Sequence, residues 1–218
     1  MVPAVLDTGC GMLDTGLMRC HLIRHAVTAD TGRILSGRLT GIPLSLEGVG
    51  MARLAADHLV GIGAVAVYTS PLQRCRETGR IIAEAASLPL LTDRSFVEVD
   101  YGTWSGRRLR DLYRLKAWQR LMRHPARFRF PEGETLGEVR SRAVSGLESL
   151  AERHGDEGVI VVSHGDVIRS LVCHYLGMDG DLIHRLDVAP ASISVIDLDA
   201  GGAVSVPVVN HRPGPAAP

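Results

Sequence analysis

The sequence predicts an α/β protein, a three-layer α/β/α sandwich around a mostly parallel central sheet. Three observations predict it. Short β-branched apolar runs alternate with segments whose apolar residues recur at helical spacing. The clearest strand candidate is a continuous apolar run, as in parallel strands covered on both faces. The chain has 218 residues, 45% hydrophobic and 22% charged, which suits one globular domain with a sizeable core.

The elements follow in order. Residues 1–18 read as a flexible leader, small and glycine-rich. Cys20 to Ile23 is a short apolar strand ending in charge. Leu46, Val49, Ala52, Ala56 and Leu59 mark a helix face behind Ser45, a residue suited to N-capping. Ala64 to Thr69 is a buried-strand candidate. Leu72, Cys75, Gly79, Ile82 and Ala86 mark the next helix, and Leu90 to Thr92 a short strand. Leu136, Val139, Ala143, Leu147 and Leu150 form a long stripe opened by Thr135 and Glu138, the spacing of a capping box. Gly158 to Ser163 is the continuous run, followed by a helix through Val167, Leu171 and Tyr175. Ile193 to Leu198 and Ala203 to Val209 read as closing strands, and residues 211–218 as a flexible tail. The working domain is thus 19–210.

One segment departs from this rhythm. Arg107 to Arg129 holds eight arginines and Lys116 against one acid, Asp111. It reads either as a solvated helical face or as a basic cap, extending to about residue 135, that draws an anionic substrate inward.

Composition excludes several classes. Basic and acidic residues balance at 24 each, without the basic excess of a nucleic-acid binder. No run of 18 apolar residues and no signal-peptide pattern occurs, so no membrane partner is expected. Four cysteines (Cys10, Cys20, Cys75, Cys173) lack short regular spacing, which fits reduced thiols and a cytoplasmic location. The two Asp-Thr-Gly triplets at Asp7 and Asp14 lie too close together for an aspartic-protease dyad. His21 and His25 have metal-like spacing only on a helix, and here they fall on a strand.

Chemistry concentrates at two strand ends. Leu22-Ile-Arg24-His25 and Val161-Val-Ser-His164-Gly165 each deliver a histidine to the start of a loop or helix. In parallel sheets, ligands bind at that end of the strands. A helix N-terminus after His164 favours an anion. Arg24 supplies a planar fork suited to phosphate.

The heptad Leu22-Ile-Arg-His-Ala-Val-Thr28 resembles the signature of the histidine phosphatase superfamily, the phosphoglycerate mutase-like family. Ser36-Gly37-Arg38, Thr69-Ser-Pro-Leu-Gln-Arg74, Glu98-Val-Asp-Tyr-Gly102, Pro131 to Thr135 and Ser163-His164-Gly165 resemble its further motifs, in order, over about residues 19–210. The resemblance implies a phosphoglycerate mutase-like fold and a metal-independent phosphomonoesterase that needs no cofactor. It would act on a small phosphorylated metabolite through a phosphohistidine on His25. It further implies Arg24, Arg74 and His164 around the phosphate, Glu98 as proton donor, and Thr28, Thr31, Ser36, Gly37 and Gly165 lining the substrate pocket. A homodimer is a family-level expectation. A cofactor-dependent phosphoglycerate mutase and a non-catalytic phospho-ligand binder are the alternatives, although the Glu98 loop resembles the phosphatase branch more closely.

Two positions depart from the family pattern. Ala26 stands where glycine is usual; the one added methyl group is expected to be tolerated, the alternative being a tighter pocket. Thr31 stands where asparagine is frequent. His124 and His184 are the remaining histidines whose place relative to the pocket matters.

Overall fold

The computed structural model describes residues 16–199, 201, 202 and 204–214. Six strands form one sheet: β1 (Met18–Arg24), β2 (Ala64–Thr69), β3 (Leu90–Thr92), β4 (Gly158–Ser163), β5 (Ile193–Leu198) and β6 (Val204–His211), in the order β3-β2-β4-β1-β5-β6. The pairings β3–β2, β2–β4 and β4–β1 are parallel, whereas β1–β5 and β5–β6 are antiparallel. The sheet is therefore mixed, with a parallel half and an antiparallel end.

Among the described residues six α-helices accompany it: α1 (Leu46–Leu59), α2 (Gln73–Ala86), α3 (Leu109–Leu112), α4 (Lys116–Arg123), α5 (Leu136–His154) and α6 (Gly165–Tyr175). Alternation along the strands decides which helix covers which face. Cys20, Leu22, Val159 and Val161 point into one core, packed by Val139, Leu147 and Leu150 of α5 and by Ile168 and Leu171 of α6. Ile23, Ile160 and Val162 point the other way, against Ala56 and Leu59 of α1 and Cys75 and Ile82 of α2. Every one of these β1 and β4 side chains is buried, which explains why those strands read as unbroken apolar runs.

Local chemistry fixes the helix starts. Ser45 accepts a hydrogen bond from the Gly48 N–H at 3.0 Å and caps α1. Thr135 and Glu138 form a reciprocal capping box on α5. The 107–129 segment is not one long helix. It folds as α3, α4 and a 3-10 turn (Pro125–Arg127), and Trp118 stacks on Trp104 with ring centroids 5.9 Å apart.

Two boundaries differ from expectation. The leader 1–18 is too long: Met18 is fully buried in β1, while residues 1–15 lie outside those described. The tail begins late, because His211 closes β6 and stacks on His58, with ring centroids 4.7 Å apart. Arg212 follows, paired with Asp187 at 2.6 Å. Residue 203, expected to open the last strand, lies outside the described residues. Among the described residues, no helix is long and apolar enough to cross a membrane. Cys20, Cys75 and Cys173 are buried free thiols, and Cys10 is among the residues not described.

Candidate active site

The register of the two central parallel strands builds the site. Arg24 of β1 pairs with Ser163 of β4, so the residues that follow, His25 and His164, leave the sheet side by side. The His25 N–H donates to the Ser163 carbonyl at 2.9 Å, and the two imidazoles meet edge to face with centroids 5.2 Å apart. β2 delivers Ser70 at its end and Arg74 in the first turn of α2. The Ser163 hydroxyl donates to the Phe96 carbonyl at 2.8 Å, tying the loop that carries Glu98 to the same strand end.

Hydrogen bonds assign the His25 tautomer. Its Nδ1 lies 2.8 Å from the Ala26 carbonyl. A carbonyl only accepts, so Nδ1 carries the proton and Nε2 presents a lone pair. Arg74 Nε donates to that Nε2 at 3.2 Å. Burial, followed by the charge of Arg74, pushes the His25 pKa down to about 3, so the ring is neutral at physiological pH. His164 is fully buried and held well below the usual range by the same two causes. Its Nε2 lies 2.7 Å from the Ser70 hydroxyl, and its Nδ1 lies 3.3 Å from Arg74 Nη2 and 3.6 Å from Glu98 Oε2. A hydroxyl rotates to donate or accept, so Ser70 follows whichever His164 nitrogen is protonated.

Two guanidinium groups face this pair with hydrogen-bonding capacity to spare. Arg74 Nη2 donates to the Gly37 carbonyl at 2.7 Å, and Arg24 Nη1 donates to the Val188 carbonyl at 2.6 Å. Arg74 Nη1 and Arg24 Nε are buried with no protein partner. An unsatisfied buried donor costs about 1–3 kcal/mol, more when charged. Two of them beside two neutral imidazoles are satisfied by an oxyanion such as phosphate.

Glu98 is held by its backbone. Its carbonyl accepts from Arg38 Nε at 2.9 Å and from Arg142 Nη2 at 3.2 Å, and Glu134 binds both arginines. Burial first, and then the charge of Asp166, push the Glu98 pKa up to about 7.

Arg24, His25, Arg74 and Glu98 line one cleft of about 340 Å³, together with Thr28, Thr31, Ser36, Gly37 and Gly165, whereas His164 and Ser70 are fully buried and do not reach its lining. Thr31 Oγ1 accepts from the Thr28 N–H at 2.9 Å, and Ser36 donates to Asp30 at 3.4 Å. Gly37 has φ +52°, and a Cβ there would crowd Tyr101 and Ser105, so only glycine turns the chain at this point. Gly165 lies against the Arg24 guanidinium.

The methyl group of Ala26 is accommodated. It lies away from the cleft lining, in a small-residue cluster with Ala52, Ala55 and Ala191. It packs α1 against the His25 loop and does not tighten the pocket. Neither His124 nor His184 lines the cleft; His124 faces a separate groove beside Asp181. Sequence reasoning missed Ser70, Tyr101, Asp166 and Arg169. Asp166 accepts from Tyr101 Oη at 2.7 Å and from Arg169 Nη1 at 2.8 Å, on the cleft wall. Its place directly after His164-Gly165 was the available signal. Among the described residues, no cluster of three or more His, Cys, Asp or Glu could hold a metal ion.

Comparison with known proteins agrees with this geometry. "Phosphoserine phosphatase 1" of Hydrogenobacter thermophilus is 31% identical over 188 residues, 84% of this chain and 88% of that protein. A Yersinia pestis protein named "Probable phosphoglycerate mutase GpmB" is 28% identical, over 83% of this chain and 85% of its own. The solved structure of Bacillus stearothermophilus YhfR superposes with a TM-score of 0.83 at 25% identity, covering 89% of this chain and 97% of that one. Residues 20–211, from the first strand to the last, match the description "Histidine phosphatase superfamily (branch 1)", and the chain belongs to that family.

Proposed function

We propose that the protein hydrolyses the phosphate monoester of a small metabolite through a phosphohistidine on His25. The observation that carries this reading is a buried, neutral imidazole whose Nδ1 is anchored, beside two guanidinium groups with buried, unpartnered N–H groups. A neutral nucleophile approaches a phosphate dianion without charge repulsion. The His25 Nε2 lone pair forms the N–P bond as the ester P–O bond breaks. Arg24, Arg74 and His164 carry the charge on the equatorial oxygens. Glu98, protonated at the start, gives its proton to the departing alkoxide. Water then attacks phosphorus and hands a proton to Glu98, and the N–P bond breaks to free phosphate. The charge stabilisation comes from side chains, and no step calls for a metal ion. The relatives' names, one a phosphoserine phosphatase and one a phosphoglycerate mutase, support a small phosphorylated metabolite as substrate.

Enzyme quenched during turnover of a phosphate-labelled substrate is expected to carry label that is acid-labile and alkali-stable. His25→Ala is expected to lose both label and turnover, and a chelator is expected to leave activity intact. Acid-stable label, or activity surviving in His25→Ala, removes the phosphohistidine. A mutase differs by excluding water from the phosphoenzyme. Incubation with 3-phosphoglycerate and catalytic 2,3-bisphosphoglycerate is expected to yield little 2-phosphoglycerate. Isomerisation faster than phosphate release makes the protein a mutase instead.

A further inference from the structure

The phosphate end accounts for only part of the cleft. Beyond it, the 28–37 loop and the α3 region contribute Ile34, Leu35, Leu109 and Tyr113 to the lining, and α6 contributes Asp166 and Arg169. This lining must meet whatever the phosphate is esterified to.

The Asp166–Arg169 pair is fixed on all sides. Arg169 Nη1 donates to Asp166 Oδ1 at 2.8 Å, Arg169 Nε to the Leu186 carbonyl at 3.0 Å, and Tyr101 Oη to Asp166 Oδ2 at 2.7 Å. The two side chains remain 21–22% exposed. A carboxylate oxygen accepts more than one hydrogen bond, and a guanidinium has five N–H groups, so neither side chain is used up. The wall therefore offers an acceptor and a donor side by side. The guanidinium charge is already matched by the carboxylate, so among the described residues this stretch of the wall presents no unmatched cation to a second anionic group.

That arrangement discriminates between leaving groups. A hydroxyl both donates and accepts, and two neighbouring hydroxyls satisfy Asp166 and Arg169 together. A carboxylate on the leaving group meets the Asp166 charge at short range and gains Arg169 only by displacing its partner. The apolar side chains of Ile34, Leu35, Leu109 and Tyr113 suit the C–H faces of a carbon skeleton. We propose that the Asp166–Arg169 pair sets specificity, selecting phosphate esters of uncharged polyols or sugars over those of hydroxy acids. This inference rests on the phosphatase reading above.

The test measures kcat/KM of the wild-type enzyme on glycerol 3-phosphate and ribose 5-phosphate against 3-phosphoglycerate and phosphoserine, with 4-nitrophenyl phosphate as reference. The polyol and sugar esters are expected to be favoured by roughly tenfold or more, the scale of discrimination by pocket contacts. Asp166→Asn keeps the shape and an acceptor for Tyr101 but removes the charge, and is expected to narrow that ratio by about tenfold. Arg169→Gln, which replaces the guanidinium with a shorter, uncharged amide and so withdraws its N–H groups from the cleft, is expected to lower it as well. Equal or faster wild-type turnover of the carboxylated pair overturns the proposal, as does an unchanged ratio in a folded Asp166→Asn or Arg169→Gln enzyme. If Asp166→Asn fails to fold, the wild-type ratio and Arg169→Gln still decide. Hydrolysis of 4-nitrophenyl phosphate without selectivity sinks this inference alone, whereas no hydrolysis of it sinks the phosphatase reading and this inference together.

Discussion

His25 and Glu98 lose solvent together, and burial moves them in opposite directions. It disfavours the charged form of each, taking the imidazole down to about 3 and the carboxyl up to about 7. A neutral imidazole and a protonated carboxyl therefore coexist near neutrality, as the proposed mechanism requires. The first step needs the protonated acid, so kcat/KM for an alkyl phosphate is expected to fall as pH rises through about 7, where Glu98 loses its proton. A nitrophenyl ester, whose leaving group departs without that proton, is expected to give a flatter profile. Glu98→Gln is expected to cost the alkyl ester roughly 10²–10⁴-fold in kcat/KM and the nitrophenyl ester much less. Equal losses, or parallel pH profiles, remove Glu98 from the acid role. The titrating groups were visible in the sequence because they sit in runs with a distinctive order of residue types. Ser70 and Asp166 were not. Each works through a partner far along the chain, His164 for one and Tyr101 for the other, and a serine or aspartate by itself carries no mark of its partner.

Individual elements carry their own costs. In β1, His21 Nε2 is buried without a partner, and burial, reinforced by Arg19, lowers the ring's pKa from 6.5 to about 4. A lowered histidine pKa means the fold favours the neutral ring. Its contribution is complete above about 6.5 and lost as pH falls toward 4. His25 and His164 act in the same direction. Thermal and urea unfolding are expected to weaken steadily over that range. His21→Leu is expected to recover about 2–3 kcal/mol of the loss between pH 8 and pH 4. An acid loss identical in the variant counts against His21 as a source. At the other face, Thr135→Ala removes the acceptor of the Glu138 N–H at 3.1 Å and is expected to cost about 1 kcal/mol in the denaturant midpoint. That cap was legible because both partners lie within four residues. The cap helices were harder to read. α3 and α4 are short, and what holds them is the contact of Trp118 and Phe128 with Trp104, which no local periodicity reveals.

The whole molecule is electrically lopsided despite its zero net charge. The nine basic residues of Arg107–Arg129 face one acid, which leaves 15 basic against 23 acidic residues elsewhere. Among the described residues, Arg110 and Arg129 are the members of that segment that form ion pairs with a carboxylate. Leu109 and Tyr113 line the cleft, so the basic surface adjoins its mouth. For a dianionic substrate, kcat/KM is expected to drop several-fold between about 0.02 and 0.5 M salt. Replacing Arg120, Arg123 and Arg127 together with glutamine is expected to flatten that slope and leave kcat unchanged. A salt response equal in both proteins makes this surface a bystander to encounter. At this scale the sequence disclosed the parallel half of the sheet, because strands covered on both faces are apolar throughout. It hid the antiparallel end, because hydrogen-bond direction between β1 and β5 leaves no trace in the composition of either strand.

That topology also sets an order in time. β1 is the first strand among the described residues and lies in the middle of the sheet, and its neighbours β4 and β5 come more than 130 residues later. As the chain leaves the ribosome, Arg24 and His25 emerge early, but the strand that brings His164 beside them has yet to be made. Until Gly158 to Leu198 has emerged, β1 has two unpaired edges and nothing to pair with. Long-range pairing of this kind is slow and exposes sticky edges while it waits. The nascent chain is thus expected to be catalytically silent and dependent on protection until Leu198 has been synthesised, so that phosphatase activity arises in one late step with closure of the sheet around β1.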